Sequence, residues 1–230
     1  MHHLVCFPPL APHTRRGPEH LRSASRLTAA LLLTAWLATP AVAQDRGAPD
    51  AVMVFGGIVT DTNFMEVVYA PYTVQLKNLG VIGASYSHRF GTVSELTGNI
   101  SLGQIGNDLT IEAEGGTSVR FGDESMGEVW AALYLRYDGF PWNDKLYTTL
   151  GANTGVSLLT NLSQFEQGRD SNGKSSEFLH YLGPEVTFAD PKNKDLELVV
   201  RLHHRSGVFG LFDGVVSGST FVSAGVRVRF

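Results

Sequence analysis

The chain has 230 residues, a formal net charge of −4, and 43% hydrophobic against 17% charged residues. That length suits one domain after processing. Over residues 44–230 the charge is −7 (14 Lys+Arg against 21 Asp+Glu), which argues against nucleic acid as a partner. No zinc-ligand spacing, P-loop or GxGxxG opening a helix occurs, so neither metal nor cofactor is expected.

Residues 1–43 read as an export signal. Arg15, Arg16, Arg22 and Arg26 form a basic region, and Leu27–Leu37 (LTAALLLTAWL) a short apolar one. Pro40–Ala41–Val42–Ala43 then offers an A-x-A site, with cleavage expected before Gln44. The alternative is a membrane anchor, for which the apolar run is short. The only cysteine is Cys6, inside this segment, so the mature chain is expected to carry neither a thiol nor a lipid-anchoring Cys.

Residues 44–50 are a polar lead. From 51 onward the pattern has period 2, as strands do. Val52–Thr60 is the first expected strand, and Asp61–Asn78 is a longer connection containing Pro71. Leu79–Phe90 alternates Ile82, Ala84, Tyr86, His88 and Phe90 against Val81, Gly83, Ser85, Ser87 and Arg89. Gly91–Asp108 is ambiguous between a strand stub around Ile100 and Leu102 and a turn. Leu109–Phe121 sets Ile111, Ala113 and Phe121 against Glu112, Glu114 and Arg120. After a turn at Asp123–Gly127, Glu128–Asp138 sets Val129, Leu133 and Leu135 against Glu128, Trp130, Tyr134 and Arg136. Phe140–Pro141–Trp142–Asn143–Asp144 is a tight turn with aromatics suited to a membrane–water boundary. Leu146–Leu158 follows, then a polar connection over 161–177, then Phe178–Phe188, in which Pro184 must weaken the ladder. Ala189–Asp195 is a charged turn.

The last two strands define the class. Leu196, Leu198, Val200 and Leu202 lead along one face to His204 and Ser206, with Glu197, Arg201, His203 and Arg205 on the other. In the final strand Val222, Ala224, Val226, Val228 and Phe230 oppose Ser223, Gly225, Arg227 and Arg229. A wholly apolar face backed by arginines is what a membrane barrel presents to lipid and lumen. Eight such runs, each near the ~9–11 residues that a tilted span needs, give the expected fold. It is all-β: an eight-stranded antiparallel transmembrane β-barrel of the outer membrane over 51–230, behind a signal peptide. A soluble β-sandwich remains the alternative, since its strands also alternate. An eight-stranded barrel is filled by its own side chains. Charges of both signs pointing inward (Glu112, Glu114, Glu128, Arg136, Glu185, Arg201, Arg227 and Arg229) should therefore pair into a plug, not line a channel. The termini and the connections after strands 2, 4 and 6 are expected on the periplasmic side. The short 122–127 connection and the long 91–108 stretch depart from the usual short-periplasmic, long-outer pattern.

Candidate chemistry sits on the lipid side of the seventh strand. A serine hydroxyl needs a base to take its proton, and a neutral histidine is the usual one, with a third group to orient its ring. His204 and Ser206, at i and i+2, point the same way and can lean into hydrogen-bond reach. Polar residues at a strand end also occur simply because they meet the headgroup region.

The eight-strand plan, His204–Arg205–Ser206 on the penultimate strand and the terminal aromatic resemble the PagL-type lipid A 3-O-deacylases of the outer membrane. Phe140–Pro141–Trp142–Asn143 and Leu202–Ser206 are similar to a broader set of PagL-like barrels. The resemblance implies His204 as general base and Ser206 as nucleophile, cutting an ester-linked acyl chain from lipid A on the outer barrel wall. Two departures stand out. The family places an Asn directly after the Ser to help the oxyanion; here it is Gly207, whose backbone N–H is the substitute. The family also places a Glu about a dozen residues later to orient the His. Val215–Thr220 holds no acid, which leaves Asp213 as the candidate orienter, with turn chemistry in Asp213–Gly214 as its other role. The expected partners are lipid A of the outer leaflet and the outer membrane itself, and a homodimer stays open. A non-catalytic barrel with a structural or lipid-binding role is the alternative function.

Overall fold

A computed structural model describes residues 45–98 and 102–230. The export signal expected over 1–43, its cleavage junction before Gln44, and Ile100 lie outside those residues. The strands are β1 (Asp50–Thr60), β2 (Leu76–Thr92), β3 (Leu109–Gly122), β4 (Met126–Tyr137), β5 (Tyr147–Leu159), β6 (Phe178–Leu182), β7 (Glu185–Asp190), β8 (Asn193–Ser206) and β9 (Thr220–Arg229). Each pairs antiparallel with its neighbours, β4 pairs β5, and β1 pairs β9 from Ala51↔Arg229 to Thr60↔Thr220. The sheet therefore closes on itself. β6 and β7 both lie between β5 and β8 and form one stave. They are separated at Gly183–Pro184, where proline has no N–H for the ladder. Nine segments thus make eight staves, and closure removes the sandwich alternative, which needs two open sheets.

Several boundaries differ from the sequence reading; β2 begins at Leu76, inside the expected connection, and runs on to Thr92. β1 starts at Asp50, inside the expected lead. β4 starts at Met126, so the β3–β4 turn shrinks to 123–125. β7 reaches Asp190 and β8 starts at Asn193, which leaves two residues where a seven-residue turn was expected. The ambiguous 91–108 stretch is largely helical: α2 (Val93–Thr97) and α3 (Gly103–Asp108) follow β2. Thr92 and Glu95 make a reciprocal capping box at the start of α2, satisfying two backbone N–H groups that the helix leaves open. The other helices are α1 (Phe64–Tyr69) after β1 and α4 (Gln164–Arg169) after β5.

The faces follow the period-2 pattern. Outward residues such as Val54, Ile82, Leu133, Leu150, Leu198 and Val226 are 42–62% exposed. The inward face buries six glutamates (112, 114, 128, 166, 185, 197) and six arginines (120, 136, 201, 205, 227, 229). This inversion of a soluble core suits a lipid solvent, and pairing the charges offsets the cost of taking them from water. Near the termini, Glu185 bonds Arg136, Arg201 and Arg227, while Glu112 accepts from Arg136 at 2.8 Å and Arg229 at 3.0 Å. Midway, Trp130 and Tyr181 cross the lumen, with Phe55 and Phe221 beside them. Gly116 makes room for the Trp130 indole, whose ring would lie 2.1 Å from a Cβ there.

At the far end Glu128 takes Arg120 at 3.0 Å, His203 at 2.8 Å and Ser157 at 2.6 Å. Glu166 of α4 turns in to meet Arg205 at 2.8 Å, Arg120 at 3.2 Å and Ser219 at 2.7 Å. The helix thereby caps that mouth. At the opposite mouth the polar lead is anchored: Arg46 reaches Asp138 at 2.5 Å, and Arg89 donates to the Arg46 carbonyl at 2.9 Å.

Candidate functional site

β8 carries His204 and Ser206 on the outer wall at the end away from the termini. Its burial alternates strictly from Glu197 onward: Glu197, Val199, Arg201, His203 and Arg205 are buried, and the residues between them are more exposed. His203 and Arg205 therefore belong to the lumen, and only His204 and Ser206 of this stretch face outward.

The two side chains share a face, but their hydrogen bonds go to different partners. His204 stands opposite Thr220 of β9, and its Nδ1 lies 2.8 Å from Thr220 Oγ1. Phe64 of α1 stacks on the same ring, with centroids 4.3 Å apart and planes inclined by 25°. α1 is seated by Asn63, whose side chain accepts the Met65 N–H at 3.1 Å. The histidine is thus held on two sides, by a hydroxyl and by an aromatic ring. Ser206 Oγ instead accepts the Val208 N–H at 3.1 Å.

Asp213 does not reach His204's ring nitrogen bond; it accepts a hydrogen bond from Ser176 Oγ at 2.5 Å and pins the 207–219 connection to the one after β5. The hydroxyl on the His204 ring is that of Thr220. The sequence names that residue only as part of an acid-free stretch, because the cross-strand partner of His204 depends on how the intervening loop folds.

Gly207 also has a local cause. An added Cβ would fall 1.8 Å from the Val215 carbonyl oxygen, so this loop has no room for the asparagine that the deacylases carry after the serine. The Gly207 carbonyl accepts the Phe212 N–H at 3.0 Å and closes the turn. Beyond it Val208, Phe209 and Asp213 hold φ of 49°, 56° and 51°. A β-branched residue there is strained, and such strain beside a candidate nucleophile is a feature that surrounding packing must maintain. Phe209 and Leu211 stand 93% and 78% exposed at the loop tip.

Two more outward residues join the neighbourhood. His180 of β6 is the register partner of Ser206, and its Nε2 lies 2.9 Å from Thr154 Oγ1 of β5. Thr154, His180, Ser206, His204 and Thr220 thus form a polar row across four adjacent staves of an otherwise apolar wall. His180 was within reach of the period-2 pattern, since it alternates with the buried Leu179 and Tyr181. Its pairing with Ser206 required the register. Among the described residues no group of three or more His, Cys, Asp or Glu could hold a metal ion.

The ring of eight staves with a lipid-type exterior is the fold of the small outer-membrane β-barrels. The solved structure of the outer membrane enzyme PagL aligns with a TM-score of 0.52 at 12% identity, over 78% of this chain and 99% of that one. Neisserial surface protein A aligns at 0.44 and 15% identity, over 79% and 97%. OprG from Pseudomonas aeruginosa aligns at 0.37 and 12%, over 82% and 100%. No protein-family model and no curated protein matches the sequence. At 12% identity the PagL overlap establishes a shared fold and leaves the chemistry to the site itself.

Proposed function

We propose that this barrel resides in the outer membrane and hydrolyses an ester-linked acyl chain of lipid A, with Ser206 as nucleophile and His204 as base. Residues 1–43 would serve as its export signal, so N-terminal sequencing of the mature protein should begin at Gln44. The observation that carries the reading is the pairing of His204 Nδ1 with Thr220 Oγ1, which leaves Nε2 as the nitrogen available to a substrate-bound serine. A histidine held in this way, two residues from a serine on the lipid-facing wall, has the parts of an esterase dyad. With the termini in the periplasm, the far end lies at the outer leaflet, where lipid A would stand beside Ser206.

In this proposal Ser206 Oγ leaves Val208 and attacks the ester carbonyl as His204 accepts its proton. The same proton then passes to the departing hydroxyl group, and water repeats the sequence to free the fatty acid. The second reading, a non-catalytic barrel, is favoured by Ser206 already accepting the Val208 N–H instead of meeting His204. Mass spectrometry of lipid A from cells with and without the protein separates the two. Loss of one ester-linked chain that disappears with Ser206→Ala supports the esterase, and an unchanged acyl pattern sinks it.

A further inference from the structure

The site lacks a side-chain donor for the oxyanion where the deacylases have one, and the reason is steric. Residue 207 can only be glycine while Val215 carbonyl oxygen sits 1.8 Å from its Cβ position. A tetrahedral intermediate still develops a negative oxygen, and without a fixed donor that charge would be poorly stabilised in a lipid-facing wall. The Gly207 backbone N–H is one donor, and any side-chain donor must come from a neighbouring stave. His180 stands directly across from Ser206, and directly opposed residues on one face of an antiparallel pair have Cβ atoms about 4.5–5.5 Å apart. His204 lies on the β9 side of Ser206, with Thr220 of β9 and Phe64 of α1 on its ring. The two histidines therefore flank Ser206 from opposite sides. Each is anchored by a threonine hydroxyl, His180 through Nε2 at 2.9 Å from Thr154 Oγ1.

We infer that His180 is the side-chain oxyanion donor of this site, supplying from β6 the hydrogen bond that residue 207 has no side chain to make. The role requires the tautomer in which Thr154 donates its O–H to His180 Nε2 and the ring proton sits on Nδ1. As Ser206 Oγ bonds to the ester carbon, the carbonyl π pair moves onto oxygen and is met by His180 Nδ1–H. The serine proton goes to His204 Nε2. Collapse reforms the carbonyl, breaks the bond to the sugar oxygen, and returns that proton to the leaving alkoxide. His180 keeps its own proton throughout. The inference rests on the esterase reading and assigns separate work to two histidines that the motif alone would not distinguish.

The test is steady-state deacylation of lipid A in detergent micelles by the purified, folded full chain. Wild type is compared with Ser206→Ala, His180→Ala, His180→Gln and His180→Asn, and folding is checked by heat-modifiable gel migration. Removing the donor should lower kcat by about 10²–10³-fold with KM changed little. At least one of the two amides, which can also donate N–H, should recover tenfold or more of that loss; a structural role for His180 would give no such recovery. Unchanged kcat in His180→Ala, with Ser206→Ala inactive, overturns the inference and leaves the esterase standing. Failure of both amides to recover activity also overturns the donor assignment. Wild type no faster than Ser206→Ala overturns the esterase reading, and the inference with it.

Discussion

His203 and His204 are adjacent in the chain and separated by the barrel wall. His203 is buried and bonds Glu128 at 2.8 Å inside the lumen, while His204 faces outward and bonds Thr220. Substitutions at the two sites should therefore have opposite effects. His203→Ala leaves Glu128 short of a partner and opens a void, and should lower unfolding free energy in micelles by about 1–3 kcal/mol while activity per folded molecule stays near wild type. Thr220→Val keeps the shape and removes only the hydroxyl that holds Nδ1. It should leave stability nearly unchanged and lower kcat by roughly three- to tenfold, the equivalent of one neutral hydrogen bond. Thr220→Val at wild-type kcat would show that His204 needs no orienter. The alternation of side chains makes the His203/His204 division readable in the sequence. The ring's hydrogen-bond partner was not readable, because only the path of the 207–219 loop decides which residue after Ser206 meets the ring.

The connections after β5 and β8 are bound together, and this determines what stands over the site. Asp170, which follows α4, accepts the backbone N–H groups of Ser217 at 2.9 Å and Val216 at 2.5 Å, and also those of Asn172 and Lys174. Burial opposes its ionisation, but these four donors together outweigh it and hold its pKa below the ordinary value of 3.8. A carboxyl whose pKa is lowered by folding contributes stability that is present above its unfolded pKa and lost as pH falls through the folded one. Protection of the Val216 and Ser217 amides against hydrogen exchange, relative to their intrinsic rates, should accordingly be high at neutral pH and fall only below about pH 4. Asp170→Asn should lower that protection at neutral pH, and unchanged protection in that variant would remove Asp170 as the strap. The helices α1 and α4 were invisible to the period-2 pattern. At six residues each they are too short to stand alone, and they exist because Phe64 packs on His204 and Glu166 pairs with Arg205.

The barrel as a whole is built around paired buried charges. Six glutamates meet six arginines, α4 covers one mouth and the polar lead occupies the other. A lumen filled and capped in this way should leave the protein silent in planar bilayers. Glu185 holds Arg136, Arg201 and Arg227 toward the end that carries the termini. Glu185→Ala leaves those guanidinium groups without a shared partner in a low-dielectric interior, and should cost about 3–5 kcal/mol of stability. That loss would appear as unfolding at lower denaturant concentration and a weakened heat-modifiable gel shift. Steady single-channel conductance from the unaltered protein would contradict the plugged lumen.

Alternation was enough to read the eight-stave plan, the outward and inward sets, the need of the inward charges to pair and the placing of His204 with Ser206 on the outer wall. These follow from strand geometry, because successive side chains must point to opposite faces whatever the rest of the molecule does. Pro184 even marked where one stave would break. What the alternation could not contain is which residue on one stave stands opposite which on the next. That depends on loop lengths and closure, and only the folded ring brings Thr220 to His204 and His180 to Ser206. It also explains Gly207: the glycine looks like a missing asparagine in the sequence, and in the fold it is the only residue that the Val215 carbonyl leaves room for.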